Sequence, residues 1–469
     1  MKARRCIRLL AALCSMLVLV ATAACGQQDN RTVVTVWSWE PSMRAEARDF
    51  EKANPDIRVD VKTTSGYDNL NSAIQDGYSM PDVVQLEYFA LPQYAVSGQL
   101  RDITDRTQDY GDNYTPGTWA SVHLNGRVYG VPMDSGPMAF FYNDDVFRQA
   151  GVDASQLHTW NDYYEAAKKL KSIGVYIAAD SGDASFYNAM IWLNGGRPFR
   201  TSGDGKTVTV NLDDDAGTKG FTDFWQKMID EDLIDTRLNT WSDGWKNALA
   251  TGSVASVFTG AWMPSLLVSD VPGSAGLWRV APMPTADGLS VNSENGGSAL
   301  SVLNLSRKPE AAMRFIRYVC LDREGVSKRV DGGAFPADKS ALNSEQFLNK
   351  TTIRDSRGID VEYFGGQQFN RVLADAAENV RVDYQYLPFE VYSRGDFRAT
   401  VGQSYKWSNA ARDRQKVQTR IDLGQRNADG SPLSLPQDPG PKISLMAGIR
   451  LWQKDIKEYG TNQGFALQS

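Results

Sequence analysis

Aromatic and acidic side chains cluster at the ends of two predicted strands. Trp37, Trp39 and Glu40 lie at the end of the first strand, and Glu87 and Tyr88 follow the third. In an open α/β sheet, the loops after the strands face the ligand crevice. A sugar presents hydroxyl groups around weakly apolar C–H faces, so a protein that binds it needs aromatic platforms and planar polar groups. These five residues are therefore of the types that a carbohydrate-binding site needs.

The elements that would position these residues alternate between β-branched runs and helical stretches, which is typical of parallel βα units. The predicted strands span residues 32–37, 57–62, 82–86, 175–179, 255–259 and 278–281. The predicted helices span residues 42–54, 88–97, 160–173, 213–231, 241–251, 309–320 and 445–459. A chain of 469 residues exceeds the size at which one hydrophobic core stops growing. We therefore expect two α/β lobes with a cleft between them.

The first 24 residues have the composition of a secretion signal. Basic residues precede an apolar run that ends in small residues and is too short to span a bilayer comfortably. Cys25 follows directly and resembles the lipidated cysteine of bacterial lipoproteins, although Thr22 replaces the usual aliphatic residue. We expect a lipid anchor at Cys25 and a linker over residues 25–31. An ordinary signal peptide with an incidental cysteine remains the alternative.

Charge and cysteine content restrict the partners of the mature chain. The whole chain has 50 Lys plus Arg and 56 Asp plus Glu, and loss of the leader removes four basic residues, which changes the net charge from −6 to −10. Affinity for nucleic acid needs the opposite balance. Apart from Cys25, only Cys320 would remain of the four cysteines, so no internal disulfide is expected. Cys320 is predicted to be a buried apolar residue.

The sequence patterns of several enzyme classes are missing. His123 and His158 lack metal-ligating companions at helical spacing, which argues against a zinc site. No G-x-S-x-G nucleophile motif occurs. The segment GDGKT at 203–207 imitates the end of a phosphate-binding loop, but Arg200 occupies the position of its first glycine. The sequence predicts no metal, no cofactor and no enzyme activity.

One segment is more specific than the others. GVPMDSG at 130–136 is followed by FFYNDDVF at 140–147 and by TW at 159–160. Together they resemble the central signature of family 1 carbohydrate-binding proteins of ABC importers, the group that includes the maltose-binding protein. Further matches in the same order are NPDI at 54–57, MPDVV at 80–84, GG at 195–196, residues 248–262 and GG at 296–297. The resemblance runs from about residue 32 to residue 336.

The resemblance implies an α/β fold of the periplasmic-binding-protein type II, in which two lobes, each built on a sheet, are joined by hinge strand crossovers. The first crossover would lie between Met133 and Tyr142, and the return near Gly296. Lobe 1 would comprise residues 32–134 and 296–339. Lobe 2 would comprise residues 138–292 and 340–469, of which the C-terminal part is rich in helices.

The resemblance also extends the set of candidate ligand contacts. Asp134 beside the crossover and Trp262 after the Gly260 turn should border the cleft. The remaining candidates are Asp183, Phe186, Trp241, Gly297 and Tyr386. Asp82 is expected to brace its loop without touching ligand. None of the candidates is Arg or Lys, which disfavours phosphorylated or acidic ligands, while the carboxylates leave a cationic or amino-sugar ligand open.

The function implied is that of a monomeric solute-binding lipoprotein at the outer face of the cell membrane. It would capture a mono- or oligosaccharide between its lobes and deliver it to the permease of an ABC importer, whose ATPase is a separate subunit. Two alternatives remain open. Glu87 and Asp134 could act as acid and base in an extracellular carbohydrate-active enzyme, or the same fold could serve a surface sugar sensor or adhesin.

Overall fold

The computed structural model describes residues 29–64 and 66–469, so the predicted secretion signal and Cys25 lie outside the described residues. The strands are Thr32–Ser38 (β1), Ile57–Thr63 (β2), Val83–Glu87 (β3), His123–Leu124 (β4), Arg127–Val128 (β5), Val131–Asp134 (β6), Met138–Asn143 (β7), Ala178–Ala179 (β8), Phe199–Thr201 (β9), Thr207–Val210 (β10), Ile234–Asp235 (β11), Ser256–Gly260 (β12), Trp278–Ala281 (β13), Ser298–Val302 (β14), Ile353–Arg354 (β15), Asp360–Val361 (β16) and Ala466–Gln468 (β17).

The helices connect these strands and cover the sheets. They are Met43–Ala53 (α1), Asp68–Asp76 (α2), Leu91–Val96 (α3), Pro116–Ala120 (α4), Asp144–Gln149 (α5), Trp160–Ser172 (α6), Ala184–Leu193 (α7), Ala216–Asp230 (α8), Asp243–Thr251 (α9), Met263–Asp270 (α10), Pro309–Cys320 (α11), Arg323–Asp331 (α12), Lys339–Leu342 (α13), Glu345–Leu348 (α14), Phe369–Glu378 (α15), Glu390–Asp396 (α16), Gly402–Asp422 (α17) and Leu445–Asn462 (α18). Within the described part of the chain, none of these helices is long and apolar enough to cross a membrane.

The first sheet has five strands in the order β2-β1-β3-β14-β6. β1 pairs in parallel with β2 and β3, and β14 pairs antiparallel with β3 and β6. Helices α1 and α11 pack on it, with the ring of Phe50 centred 5.2 Å from Phe315 and 5.5 Å from Tyr318. Cys320 is buried in this core, as predicted, and burial raises the pKa of its thiol well above the usual range.

The second sheet is antiparallel, in the order β12-β7-β13. Alternate residues of a strand point to opposite faces of its sheet. Met138, Phe140 and Tyr142 of β7 accordingly pack into one core, while Ala139 and Phe141 pack into another. Helices therefore cover both faces of this sheet, which accounts for the wholly buried sequence of β7.

Three segments connect the regions around the two sheets. The chain leaves the first sheet after β6 and enters the second at β7, and it returns between β13 and β14. The outgoing and returning segments are hydrogen-bonded, because Met138 N donates to Ser293 O at 3.0 Å and Asn295 N donates to Gly136 O at 2.8 Å. A third segment follows α12, where Pro336 forms an antiparallel bridge with Asp134. The three segments lie side by side and form the floor between the sheets.

Most predicted elements lie within a few residues of the observed ones, and two differences have clear causes. The predicted helix at 88–97 starts only at Leu91, because Tyr88 N still donates to Gly297 O beside the sheet. The 21-residue helix α17 was not predicted as an element of its own. It buries few residues, namely Gly402, Ser404, Tyr405 and Ser408, so it lacks the apolar periodicity from which helices are recognised.

Candidate functional site

A cavity of about 380 Å³ lies above the connecting segments. Residues at the ends of β1, β3 and β6 line one side of it, and residues around α7, α9 and α10 line the other. The returning segment supplies the floor through residues 295–298. A larger groove of about 590 Å³ lies between α12 and β15–β16, but it contains none of the predicted ligand contacts. The smaller cavity is therefore the candidate site.

Seven of the predicted contacts line this cavity together. They are Trp39, Glu87, Asp134, Asp183, Trp241, Trp262 and Gly297. Sequence reasoning missed the other lining residues, which are Ser135, Ser185, Asn295, Gly296, Ser298, Ala334, Phe335 and Arg394. Asn295, Gly296 and Ser298 adjoin the predicted return near Gly296, and that return was the sequence signal that could have identified them. No comparable signal pointed to Phe335 or Arg394.

Buried hydrogen bonds position the side of the cavity that belongs to the first sheet. The carboxamide of Gln85 accepts from Ser38 Oγ at 2.6 Å and from Trp39 N at 3.1 Å. Its amino group donates to Ser298 Oγ at 2.9 Å, and Ser298 Oγ donates to Asp134 Oδ1 at 2.9 Å. This chain of bonds joins Trp39, at the end of β1, to Asp134, at the end of β6. The polar wall is thereby fixed before any ligand arrives.

Two carboxyl groups near the crossover have pKa values well above their usual range. Burial raises the pKa of Asp134 to about 7, although the hydrogen bond from Ser298 opposes the shift. Glu294 is 1 % exposed and accepts from Ser135 Oγ at 2.7 Å and Thr118 Oγ1 at 3.1 Å. Burial raises its pKa to about 7 as well. Both groups therefore titrate near neutral pH.

Glu87 presents a carboxylate from the end of β3. Its Oε2 accepts a 2.8 Å hydrogen bond from the hydroxyl of Tyr67. Burial raises its pKa above the usual value, and the Tyr67 hydrogen bond and the charge of Arg394 oppose the shift. Glu87 is thus oriented by Tyr67 while it lines the cavity.

The opposite wall is aromatic and depends on glycine. The indole of Trp262 donates from Nε1 to Asn295 O at 2.7 Å. A Cβ atom on Gly260 would lie 2.4 Å from that Nε1, and one on Gly296 would lie 2.7 Å from it. Trp241, with φ of 72°, brings its ring centre to 5.3 Å from that of Trp262. Two indoles therefore lie side by side only because two glycines leave room for one of them.

Helix α7 begins at this wall. Asp183 is its N-terminal capping residue, and its Oδ1 accepts from Ser185 N at 2.8 Å and from Phe186 N at 3.4 Å. Such a cap satisfies amide groups that the helix leaves without intrahelical partners. Asp183 also lines the cavity, so it combines a structural contact with a position in the cavity lining.

Arg394 adds a cation that the sequence analysis did not place here. It lies in α16, and its Nη1 donates to Ser185 Oγ at 2.8 Å while its Nε donates to Glu390 Oε1 at 3.2 Å. The cavity therefore contains an arginine, contrary to the expectation that no Arg or Lys lies among the ligand contacts. Since Glu390 is fully buried and pairs with the guanidinium, the cation is already partly neutralised by the protein.

Three predicted contacts near the first sheet lie outside the cavity. Trp37 is 6 % exposed because β1 continues through it, and the ammonium of Lys62 lies 4.1 Å from its ring centre. Glu40 accepts from Ser42 N and Ser42 Oγ at 3.1 and 2.8 Å, so its carboxylate turns towards the start of α1. Tyr88 is 1 % exposed and donates its hydroxyl to Asp134 O at 2.7 Å, beneath the floor.

Two more predicted contacts belong to aromatic clusters beside the cavity. The ring of Phe186 packs on Phe221 and Trp225, with centres 5.8 and 5.1 Å away. Tyr386 packs on Trp192 and Tyr384, at 6.0 and 5.4 Å. Strand and helix ends indicate which residues are near a cleft, but the packing of each ring decides whether it faces inwards. Asp82 braces its loop as expected, since it accepts from Thr35 and from Ser306.

Two sheets, three connecting segments and a cavity lined from both sides define a two-lobe α/β binding protein of the periplasmic-binding-protein type II. The family model described as "Bacterial extracellular solute-binding protein" matches residues 37–323, which is more than half of the chain. The protein therefore belongs to this family. Among the residues described, no group of three or more His, Cys, Asp or Glu side chains is arranged to hold a metal ion.

Several known proteins resemble about two thirds or more of this chain. A solved structure of the ABC transporter associated binding protein from B. animalis subsp. lactis, in complex with β-1,6-galactobiose, is 46 % identical, covers 94 % of this chain and 100 % of its own, and has a TM-score of 0.76. The lactose-binding protein of Rhizobium radiobacter is 27 % identical over 66 % of this chain and 74 % of its own length. The structure of the galacto-N-biose-/lacto-N-biose I-binding protein of Bifidobacterium longum, 22 % identical, covers 94 % of this chain and 99 % of its own, with a TM-score of 0.72, and supports the fold.

Proposed function

We propose that this protein captures a short carbohydrate in the cavity between its two sheets and delivers it to the permease of an ABC importer. The observation that carries the proposal is the composition of the lining. Trp39 on one side and the Trp241–Trp262 pair on the other supply aromatic surfaces, while Glu87, Asp134 and Asp183 supply hydroxyl acceptors. Aromatic faces and convergent polar groups are what a sugar requires.

We infer that the preferred ligand is a disaccharide that contains galactose. The relative that is 46 % identical over nearly the whole chain was solved with β-1,6-galactobiose, and a second relative is named for lactose. The cavity volume of 380 Å³ lies near the lower end of the range of about 300–1,000 Å³ for ligand pockets. A small cavity agrees with a ligand of few sugar units.

The direct ligand contacts in this proposal are Trp39, Glu87, Asp134, Asp183, Trp241 and Trp262, with Gly297 contributing backbone. Because these residues come from both sides of the cavity, a bound sugar would favour the form in which the sides are close together. A ligand shifts such an equilibrium by its differential affinity for the two forms. The connecting segments 134–138, 281–298 and 331–339 are where the lobes would rotate. The permease would then recognise the closed form.

The remaining assignments belong to the same proposal. Lobe 1 comprises residues 32–134 and 296–339, and lobe 2 comprises residues 138–292 and 340–469, a division supported by the separate cores on the two sheets. The protein acts as a monomer without catalysis and is held at the outer face of the membrane by lipid on Cys25. One lipid chain gives only reversible attachment, so more than one acyl group is expected.

Calorimetry on the leaderless protein tests the binding step. We expect saturable binding of β-1,6-galactobiose and a ligand-dependent rise in melting temperature, because a ligand bound only by the native state stabilises it. Weak or absent binding of all galactose-containing disaccharides would contradict the assignment. Release of reducing ends from oligosaccharides would instead favour the enzyme alternative. Co-purification with permease subunits from membranes separates an importer component from a sensor or adhesin.

A further inference from the structure

The guanidinium of Arg394 joins the two sides of the molecule at one end of the cavity. Its central carbon lies 3.8 Å from the centre of the Phe89 ring and 5.7 Å from that of Tyr386. Phe89 follows β3 of the first sheet, whereas Arg394 is held by Ser185 of α7 and by Glu390 of α16. Arginine stacks on aromatic faces through its planar cation. The contact therefore closes the cavity between a residue of one side and a residue of the other.

The protein holds this guanidinium in place from behind. Glu390 is fully buried, and its Oε1 accepts from Asn188 Nδ2 at 2.7 Å as well as from Arg394 Nε at 3.2 Å. A buried carboxylate that lost its cation would be costly to the fold. Arg394 is thus anchored by two side chains of its own lobe and is not a freely rotating surface residue.

A second groove between the two sides lies beyond this contact. It has a volume of about 540 Å³ and is lined by Gln93, Tyr94 and Gln99 on one side and by Lys206, Phe389 and Gln463 on the other. Amide side chains donate and accept hydrogen bonds without net charge, which suits a neutral polyhydroxylated ligand. With its amide groups and the rings of Tyr94 and Phe389, the groove resembles a saccharide site outside the cavity, and Lys206 adds one hydrogen-bond donor that is charged.

One layer of rings separates the groove from the cavity. Glu87, which lines the cavity, accepts from the hydroxyl of Tyr67 at 2.8 Å. The ring centre of Tyr67 lies 6.2 Å from that of Phe89 and 6.0 Å from that of Tyr94, which lines the groove. Tyr67 thus contacts a residue of each space, and Phe89 and Arg394 continue the same layer of side chains, which we call the partition.

We propose that Arg394 and Phe89 are specificity-determining residues that end the cavity after a short saccharide and keep longer chains out of the outer groove. This inference rests on the proposed function and adds the basis of length selection. A sugar unit that extended past the partition would have to displace the guanidinium from Phe89. The same unit would find amide partners and aromatic edges in the groove once the partition was opened.

The test compares affinities for β-1,6-linked galactobiose, galactotriose and galactotetraose in four proteins. They are the wild type, Arg394→Ala, Phe89→Ala and Arg398→Ala. Arg398 is a matched control, because it is an exposed arginine that follows α16 and lies outside the cavity lining. Phe89→Ala opens the partition without unpairing Glu390, so it serves if Arg394→Ala fails to fold.

In the wild type and in Arg398→Ala, we expect the disaccharide to bind at least about tenfold more tightly than the tetrasaccharide, because the anchored partition excludes the additional sugar units. In Arg394→Ala and Phe89→Ala, the ratio should fall to about threefold or less. If the ratio of disaccharide to tetrasaccharide affinity is unchanged in Phe89→Ala while the wild type still binds galactobiose, the role of the partition is overturned and the proposed ligand is not. A wild type that binds none of the three sugars would overturn the proposed ligand and the partition together.

Discussion

The two walls of the cavity are built on different physical principles. On the first sheet, Gln85 and Ser298 fix Trp39 and Asp134 through buried hydrogen bonds. On the opposite wall, Trp262 keeps its position because Gly260 and Gly296 have no side chain that would occupy the same space. The polar wall therefore depends on partners that must be present, and the aromatic wall depends on atoms that must be absent. Substitutions should damage the two walls in different ways.

Gly260→Ala should have the largest effect, because it adds an atom to the aromatic wall. The new Cβ would lie 2.3 Å from Asn295 O and 2.4 Å from Trp262 Nε1, so backbone or indole must move. Overpacking of this kind costs about 2–3 kcal/mol of unfolding free energy, and the displaced indole should also weaken sugar binding. Chemical denaturation and calorimetry measure the two effects.

Gly273→Ala is the matched control for that substitution. No heavy atom lies within 4 Å of the position where its Cβ would be built, and it lies outside the cavity lining. Its effect on binding should be negligible. Equal losses of stability and of sugar affinity in both variants would show that the effect at Gly260 comes from backbone freedom and not from contact with Trp262.

Trp262→Ala removes the platform itself and should rank second. We expect the affinity for the sugar to fall by roughly 1–3 kcal/mol through lost aromatic contact. Trp407→Ala is the control, since Trp407 lies in α17 and donates to Gly440 O away from the cavity. Calorimetry on both folded variants decides the matter, and unchanged affinity in Trp262→Ala would remove the indole from the site.

Glu294→Gln tests the polar groups near the crossover through the pH dependence of the free energy of unfolding. Burial raises the pKa of Glu294 from 4.5 to about 7, so between these values the folded state keeps a proton that the unfolded state has lost. The stability of the wild type relative to Glu294→Gln should therefore fall as pH rises from about 4.5 to about 8, by about 3 kcal/mol. Above about pH 8 the difference should stay constant, because the carboxyl group is then ionised in both the folded and the unfolded state.

Denaturation curves of both proteins at pH 5, 6, 7 and 8 measure that change. Exposed Glu310 is the control, because its hydrogen bond with Arg106 lowers the pKa of Glu310 and Glu310→Gln should not reproduce the trend. Parallel stability curves for the wild type and Glu294→Gln would mean that the buried carboxyl does not titrate in this range.

Glu40→Gln should have the smallest effect on binding. Its carboxylate is used by Ser42 and does not line the cavity, so the sugar affinity should change by less than about twofold. Glu87→Gln is the contrasting variant, in which a lost charge-assisted hydrogen bond should cost about 1–2 kcal/mol of binding free energy. A larger loss of sugar affinity in Glu40→Gln than in Glu87→Gln would contradict the proposal that Glu87 contacts the ligand and Glu40 does not.

Much of the fold was predictable because its signals are local. The helix over 309–320 and the strand over 278–281 were predicted with the bounds that the structure has. Apolar periodicity, capping residues and glycine turns act over a few residues and are visible in sequence. The first crossover was predicted in another way, from the resemblance of residues 130–147 to the family signature, and the chain passes there from β6 of the first sheet to β7 of the second.

The sequence by itself determined the fold class, the position of the crossover and a set of aromatic and acidic residues at strand and helix ends. Only the tertiary structure decided which of them share a cavity. It buries Trp37 and packs Phe186 on Trp225, and it adds Arg394, which lies 209 positions from its partner Ser185. The physical reason is that the direction of a side chain at the end of an element depends on long-range packing, to which no local pattern responds.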